Sequence, residues 1–214
     1  MIRKHKGQLI RKQIYWCNSR RGNMKEMSKR DIRLEVLEKR ARMSPEERAA
    51  KSIAIGDRLM RTGLWADAKT LFLYMSLPGE VETDRLIEEA WRAGKQVAVP
   101  KVTKEGLVFS KLDSFEELSE GSFHVREPKE IREISDVSAP VIMPGVAFDI
   151  NCNRIGYGKG FYDRYLFEHR RHPAVALSFD FAVYSKIPSD PHDIKPNFII
   201  TEFGSYSPQD GIDR

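Results

Sequence analysis

"TLFLYMSLPGEVETDRLIEEAWRAGKQVAVP", Thr70 to Pro100, contains two short apolar runs separated by a charged stretch. "TLFLYM" is continuous and brief, the pattern of a strand buried on both faces, and "QVAVP" is a second run of the same kind. Between them "ETDRLIEEAWRAG" reads as a helix closed by Gly94. Strand, helix, strand in this order predicts a right-handed parallel crossover.

Working outward, the segment from Ser28 to Arg42 places Ile32, Leu34, Val36 and Leu37 among charges, closer to a helical period than to alternation. "MSPEER" then supplies Ser44 as an N-cap, Pro45 at the first helical position and Glu47 three residues after the cap, so a second helix runs from Pro45 to about Arg61. Downstream, "LVFSKL", "APVIMP", "AVALSF" and "FIIT" are further strands, and Phe161 to Arg170 is a helix. The expected fold is a single three-layer α/β/α domain with a mostly parallel, Rossmann-like sheet. The polar, turn-rich span from Asp113 to Ser138 is the expected irregular region.

A chain of 214 residues suits one sizeable core. Its formal charge of +5 hints at a polyanionic partner until the charge is located. Residues 1–23 carry Arg3, Lys4, Lys6, Arg11, Lys12, Arg20 and Arg21 with no acid, and removing these seven from the 36 basic residues leaves 29 against 31 acids. The body is therefore slightly acidic, and the basicity belongs to the tail. Residues 1–23 read as an upstream extension, disordered or not native, ahead of a domain at 24–205 and a short tail at 206–214. The alternative reading of the extension is a basic arm for nucleic acid. No apolar run reaches signal-peptide or membrane-span length, which points to a cytoplasmic protein. Cys17 and Cys152 have neither the number nor the spacing of a disulfide framework or zinc site, so both read as free thiols.

"NRIGYGKGFYDRYL", Asn153 to Leu166, packs three alternating glycines, a lysine, four aromatics and an aspartate into one turn and helix start. A P-loop would need Ser or Thr where Gly160 stands, and a dinucleotide fingerprint would need glycine in place of Phe161. The physical logic of both survives: glycines opening a helix after a strand that ends near Met143 present backbone amides, with Lys159, to an anion. A tight turn without function is the alternative. Asp163, inside the first helical turn, is either a metal ligand or an acid placed there by the helix dipole.

"PGVAFD", Pro144 to Asp149, followed by this cluster closely resembles the signature of 5-formyltetrahydrofolate cyclo-ligases, also called methenyltetrahydrofolate synthetases. "YMSLPGEVET", "GKQVAVPKV" and "GSFHVREP" are further landmarks, and the resemblance spans about residues 28–201. It implies a ligase that uses ATP and Mg²⁺ to convert 5-formyltetrahydrofolate into 5,10-methenyltetrahydrofolate, ADP and phosphate through a phosphorylated formyl group. A monomer acting on small molecules, with no nucleic-acid or membrane partner, is the expectation.

The resemblance also implies roles. Lys29 and Arg33 would bind ATP together with Arg154, Ile155, Gly156, Tyr157, Gly158, Lys159, Gly160, Phe161 and Tyr162. Met75 and Glu80 would bind the folate together with the stretch Tyr157 to Phe161, and Lys159 would act in catalysis. Asp163 and Asp193 would be magnesium ligands. Pro196 and Asn197 stand where the family often has a further acid, and Phe161 where tyrosine is common. The rival enzyme reading is another α/β protein acting on phosphate-bearing substrates, such as a sugar-phosphate isomerase or CoA transferase.

Overall fold

The computed structural model describes residues 16–18, 24–134 and 136–208. Of the extension, Trp16–Asn18 falls among these, pairing as strand β1 antiparallel with β2, Met24–Glu26. The reading of the remaining extension lies outside the described residues.

Helix α1 spans Lys29–Ala41 and begins with a capping box, in which the Ser28 hydroxyl accepts from the Asp31 amide while Asp31 accepts from the Ser28 amide. That reciprocal pair satisfies donors that a helix start would otherwise leave orphaned. Helix α2, Pro45–Met60, starts as expected, with Ser44 Oγ accepting from the Glu47 amide at 3.1 Å. A short helix α3, Gly63–Asp67, leads into strand β3, Thr70–Leu73, then helix α4, Asp84–Arg92, strand β4, Gln96–Val102, and strand β5, Leu107–Lys111. Next come β6 Leu118–Glu120, β7 Arg126–Pro128, β8 Val141–Met143, β9 Ala147–Asp149 and β10 Arg154–Ile155. Helix α5, Phe161–Glu168, and strands β11 Ala174–Leu177, β12 Val183–Tyr184, β13 Phe198–Ile200 and β14 Ser205–Tyr206 complete the order.

The main sheet has strand order β14-β13-β11-β8-β3-β4-β5. The five central strands are parallel, and β14 and β5 close the two edges antiparallel. Side chains alternate between the faces as the pleat requires. Leu71, Leu73, Val97, Val99, Ile142, Val175 and Leu177 pack on one side with Ile55, Leu59, Trp65, Leu86 and Ile87 of the α2, α3 and α4 layer. Phe72, Ala98, Val141, Met143, Ala174 and Ala176 pack on the other with Tyr165 and Leu166 of α5 and with Phe148. Both faces are covered, which is why these strands read as unbroken apolar runs.

A second, three-stranded sheet, β10-β9-β12, carries α1. Ile32 and Val36 of α1 bury against Val146, Ala147, Ile155, Ala182, Tyr184 and Ile187. These strands are two or three residues long, too short for a period to show in the sequence. For the same reason the expected irregular span contains the β6-β7 ribbon, where Leu118–Glu120 pairs antiparallel with Arg126–Pro128. Among the described residues no helix is long and apolar enough to cross a membrane.

Candidate active site

Strand order in the main sheet reverses between β3 and β8: from β3 the chain proceeds to β4 on one side, and from β8 to β11 and β13 on the other. In an open α/β sheet such a reversal leaves a crevice beyond the carboxyl ends of the two strands. A cavity of about 570 Å³ occupies that position, reached by Tyr74 and Met75 after β3, Pro100 and Val102 of β4, and Pro144 after β8.

The glycine cluster forms one wall. Gly158 and Gly160 have φ of +94° and +65°, left-handed conformations that glycine adopts without penalty. Gly160 is the N-cap of α5 and offers no side-chain bond, so the first-turn amides of the helix are left for a ligand beside Lys159. Helix α1 forms a second wall. Arg33 Nε donates to the Gly156 carbonyl at 2.7 Å, and Lys29 Nζ lies 2.6 Å from both Asp190 Oδ2 and Asp193 Oδ2. Burial opposes the charge on Lys29, but hydrogen bonds to the two aspartates outweigh it and raise its pKa. Burial likewise works against the Asp193 carboxylate, and the bonds from Lys29 and the Asp190 amide prevail and lower its pKa. Arg154, buried, bonds Asp163 at 2.8 Å. Among the described residues neither Arg33 nor Lys159 forms an ion pair; Lys159 lies over the Phe123 ring, 5.6 Å from its centroid. Two uncompensated cations therefore face the glycine loop.

The opposite end of the cavity is largely apolar, and two buried acids, Glu80 and Glu127, line it. Glu80 is 3% exposed, accepting from the Leu77 amide at 2.9 Å and the Tyr157 hydroxyl at 2.8 Å. Burial raises its pKa, against the lowering influence of the Leu77 amide, Arg40 and Tyr157. Read alone, Glu80 resembles an exposed turn acid; the turn folds it inward. Each carboxylate oxygen uses one bond and keeps an acceptor position for a ligand donor.

Asp163 and Asp193 lie close together, since the Ile194 amide donates to Asp163 Oδ1 at 3.2 Å. Arg154 bonds the same oxygen of Asp163, and Lys29 and the Asp190 amide share one oxygen of Asp193, so one oxygen of each carboxylate is left over. Among the described residues no group of three or more His, Cys, Asp or Glu side chains is arranged to hold a metal. Two spare carboxylate oxygens fit Mg²⁺ only as it usually binds, with waters and substrate phosphates filling the remaining positions.

All the residues singled out in the sequence line this one cavity. Three neighbours went unnoticed. Asp190 shares Lys29 with Asp193, and "SDPHD" could have suggested a paired-acid turn. Phe123 lines the mouth at φ +60°, a left-handed conformation that a phenylalanine does not advertise. Arg40, in the last turn of α1, looks like an ordinary helix-end cation, yet it is 5% exposed and bonds Gly145 O, Val146 O and the Tyr157 hydroxyl.

Comparison with known proteins shows the family. Residues 25–202 match the 5-formyltetrahydrofolate cyclo-ligase family. Curated relatives of that name include a mouse protein, 30% identical over 82% of this chain and 94% of its own, and one from Escherichia coli K12, 30% identical over 78% and 96%. The solution structure of the Aquifex aeolicus 5,10-methenyltetrahydrofolate synthetase superposes with a TM-score of 0.77 at 31% identity, covering 86% of this chain and 95% of that one. The Mycoplasma pneumoniae synthetase gives 0.65 at 26% identity, covering 82% and 99%.

Proposed function

The chain is an enzyme of the 5-formyltetrahydrofolate cyclo-ligase family, and on that premise we propose that it closes the methenyl bridge of 5,10-methenyltetrahydrofolate from 5-formyltetrahydrofolate at the expense of ATP. One observation carries the reading: a single cavity joins an uncapped, glycine-lined helix start and two cations without an ion pair among the described residues to a largely apolar end where the buried Glu80 carboxylate keeps acceptor positions free. A nucleotide triphosphate and a flat, donor-edged heterocycle are the ligands those two ends suit.

The chemistry needs them adjacent. The formyl group on N5 is an amide, with a poorly electrophilic carbon and an oxygen that leaves poorly. When that oxygen attacks the γ-phosphorus, the bond to ADP breaks and an iminium phosphate forms. Nitrogen N10 then adds to the carbon, the C–O bond breaks with release of phosphate, and N10 gives up its proton. Phosphoryl transfer asks the protein for alignment and charge stabilisation rather than for covalent help.

Lys159 and the α5 amides would hold the migrating phosphoryl group, with Lys29, Arg33 and Arg154 along the rest of the triphosphate. Asp163 and Asp193 would hold Mg²⁺, whose part is to neutralise phosphate charge. The Glu80 carboxylate would take two parallel N–H donors from the amino-pyrimidine edge of the pterin, with Met75, Tyr157 and Phe161 as its walls. Absorbance of the methenyl product, followed with and without ATP and Mg²⁺, tests the reading. Product formed at the same rate without ATP would overturn it.

A further inference from the structure

Arg40 does not itself line the cavity, yet it meets three chain segments that build it. A Cβ placed on Gly79 would lie 3.5 Å from Arg40 Cβ, so the arginine stem packs beside the turn that carries Glu80. Its guanidinium donates to Gly145 O at 2.6 Å, Val146 O at 3.2 Å and Tyr157 Oη at 3.2 Å. Guanidinium has donors only, so Tyr157 must accept from Arg40 and spend its one hydrogen on Glu80. The order of the network is thereby fixed: Arg40 to Tyr157 to Glu80.

The groups facing Glu80 are the phenols of Tyr74 after β3, Tyr162 at the head of α5 and Tyr157 in the glycine loop, together with Arg40 from α1. Arg40 is the cation among them. Through the shared tyrosine oxygen its Nη1 lies at most about 6 Å from Glu80 Oε1, given bonds of 3.2 and 2.8 Å. We propose that Arg40 is a positioning residue for ligand recognition: it orients the Tyr157 hydroxyl towards Glu80 and sets a fixed positive charge behind that buried acid without itself touching the ligand. The inference rests on the reading of Glu80 as the folate contact.

The test is direct binding of 5-formyltetrahydrofolate, without ATP, to the full chain between pH 5 and 9. At about 6 Å in a part-polar environment, loss of the cation raises the pH at which Glu80 takes up a proton by about one to two pH units. Arg40→Met should therefore move the acid limb of binding upward by that amount and weaken affinity about tenfold at neutral pH. In turnover, KM should rise by a similar factor while kcat stays within about threefold. Arg40→Lys keeps the charge, and its acid limb should stay near the wild-type position. Should Arg40→Met fail to fold, Tyr157→Phe and Arg40→Lys decide: the phenylalanine variant cuts the bridge and should show a smaller upward shift, the lysine variant almost none. Glu80→Gln separates the two levels. If it binds like wild type, the folate reading of Glu80 fails and the inference with it. If it loses binding while the Arg40→Met limb is unmoved, the inference alone is refuted.

Discussion

Gly145 follows β8 in the tight corner "MPGVAF", and a Cβ built there would lie 2.3 Å from Cζ of Phe148, with two more ring atoms at 2.9 and 3.0 Å. Real Cβ contacts do not approach so closely, and Phe148 cannot yield because it is fully buried against Cys152, Met143 and Tyr165 in the α5-side core. Gly145→Ala must displace either the ring or the corner. Overpacking of this kind costs about 1–3 kcal/mol, and three clashing atoms against an immobile ring place it at the upper end, about 3 kcal/mol. For a domain of this size that is a fall of about 6–12 °C in Tm. Phe148→Leu alone should cost about 1–2 kcal/mol through the space it leaves. The double variant should be more stable than Gly145→Ala alone, because shortening the ring removes the collision. Chemical denaturation of the four proteins closes the cycle, and simple additivity of the two losses would refute the steric argument. The corner also presents the Gly145 carbonyl to Arg40, so Gly145→Ala should weaken folate binding as well as stability.

Lys159→Ala removes a cation that no carboxylate among the described residues pairs with, and should lower kcat by at least about 10²-fold in steady-state assays, with an unchanged melting profile. Asp163→Asn and Asp193→Asn should each raise the Mg²⁺ concentration needed for half-maximal rate, and overlapping magnesium titrations would remove both from the metal site. Asp193 also makes an acid-stability prediction: its folded pKa lies below the ordinary 3.8, so its stabilising contribution is present above that value and is lost as pH falls through the lowered one. The Tm difference between wild type and Asp193→Asn should accordingly shrink as pH is taken from 6 towards 2.

The parallel core was legible because both its faces are covered, so that "TLFL", "VIM" and "AVAL" declare themselves without reference to their partners. Strands β9, β10 and β12 were not, because each is only two or three residues long and shows no pattern of its own. The glycine loop and Lys159 could be read as an anion site from spacing alone. Glu80, Lys29 and Arg33 could not: as isolated residues they look like surface charges, and the resemblance to a family singled them out. Arg40 escaped both routes, since what distinguishes it is the pair of carbonyls at Gly145 and Val146, more than a hundred positions away.

Helix α1 is made early and used late. Its buried side chains Ile32 and Val36 meet residues from Val146 onward, Arg33 meets Gly156, and Lys29 is gripped by Asp190 and Asp193. During synthesis the ribosome therefore extrudes a helix whose Ile32 and Val36 find their partners more than a hundred codons later. At about 5–20 residues per second this is an interval of roughly 5–25 s in which that apolar face lacks the residues it finally packs on. The strand-and-helix unit from β3 to β4 can form meanwhile, since its contacts lie within about thirty residues. The glycine-loop end of the cavity is complete only when Asp193 has left the exit tunnel, so a nascent chain released short of that point can bury much of its sheet and still lack part of the cavity wall.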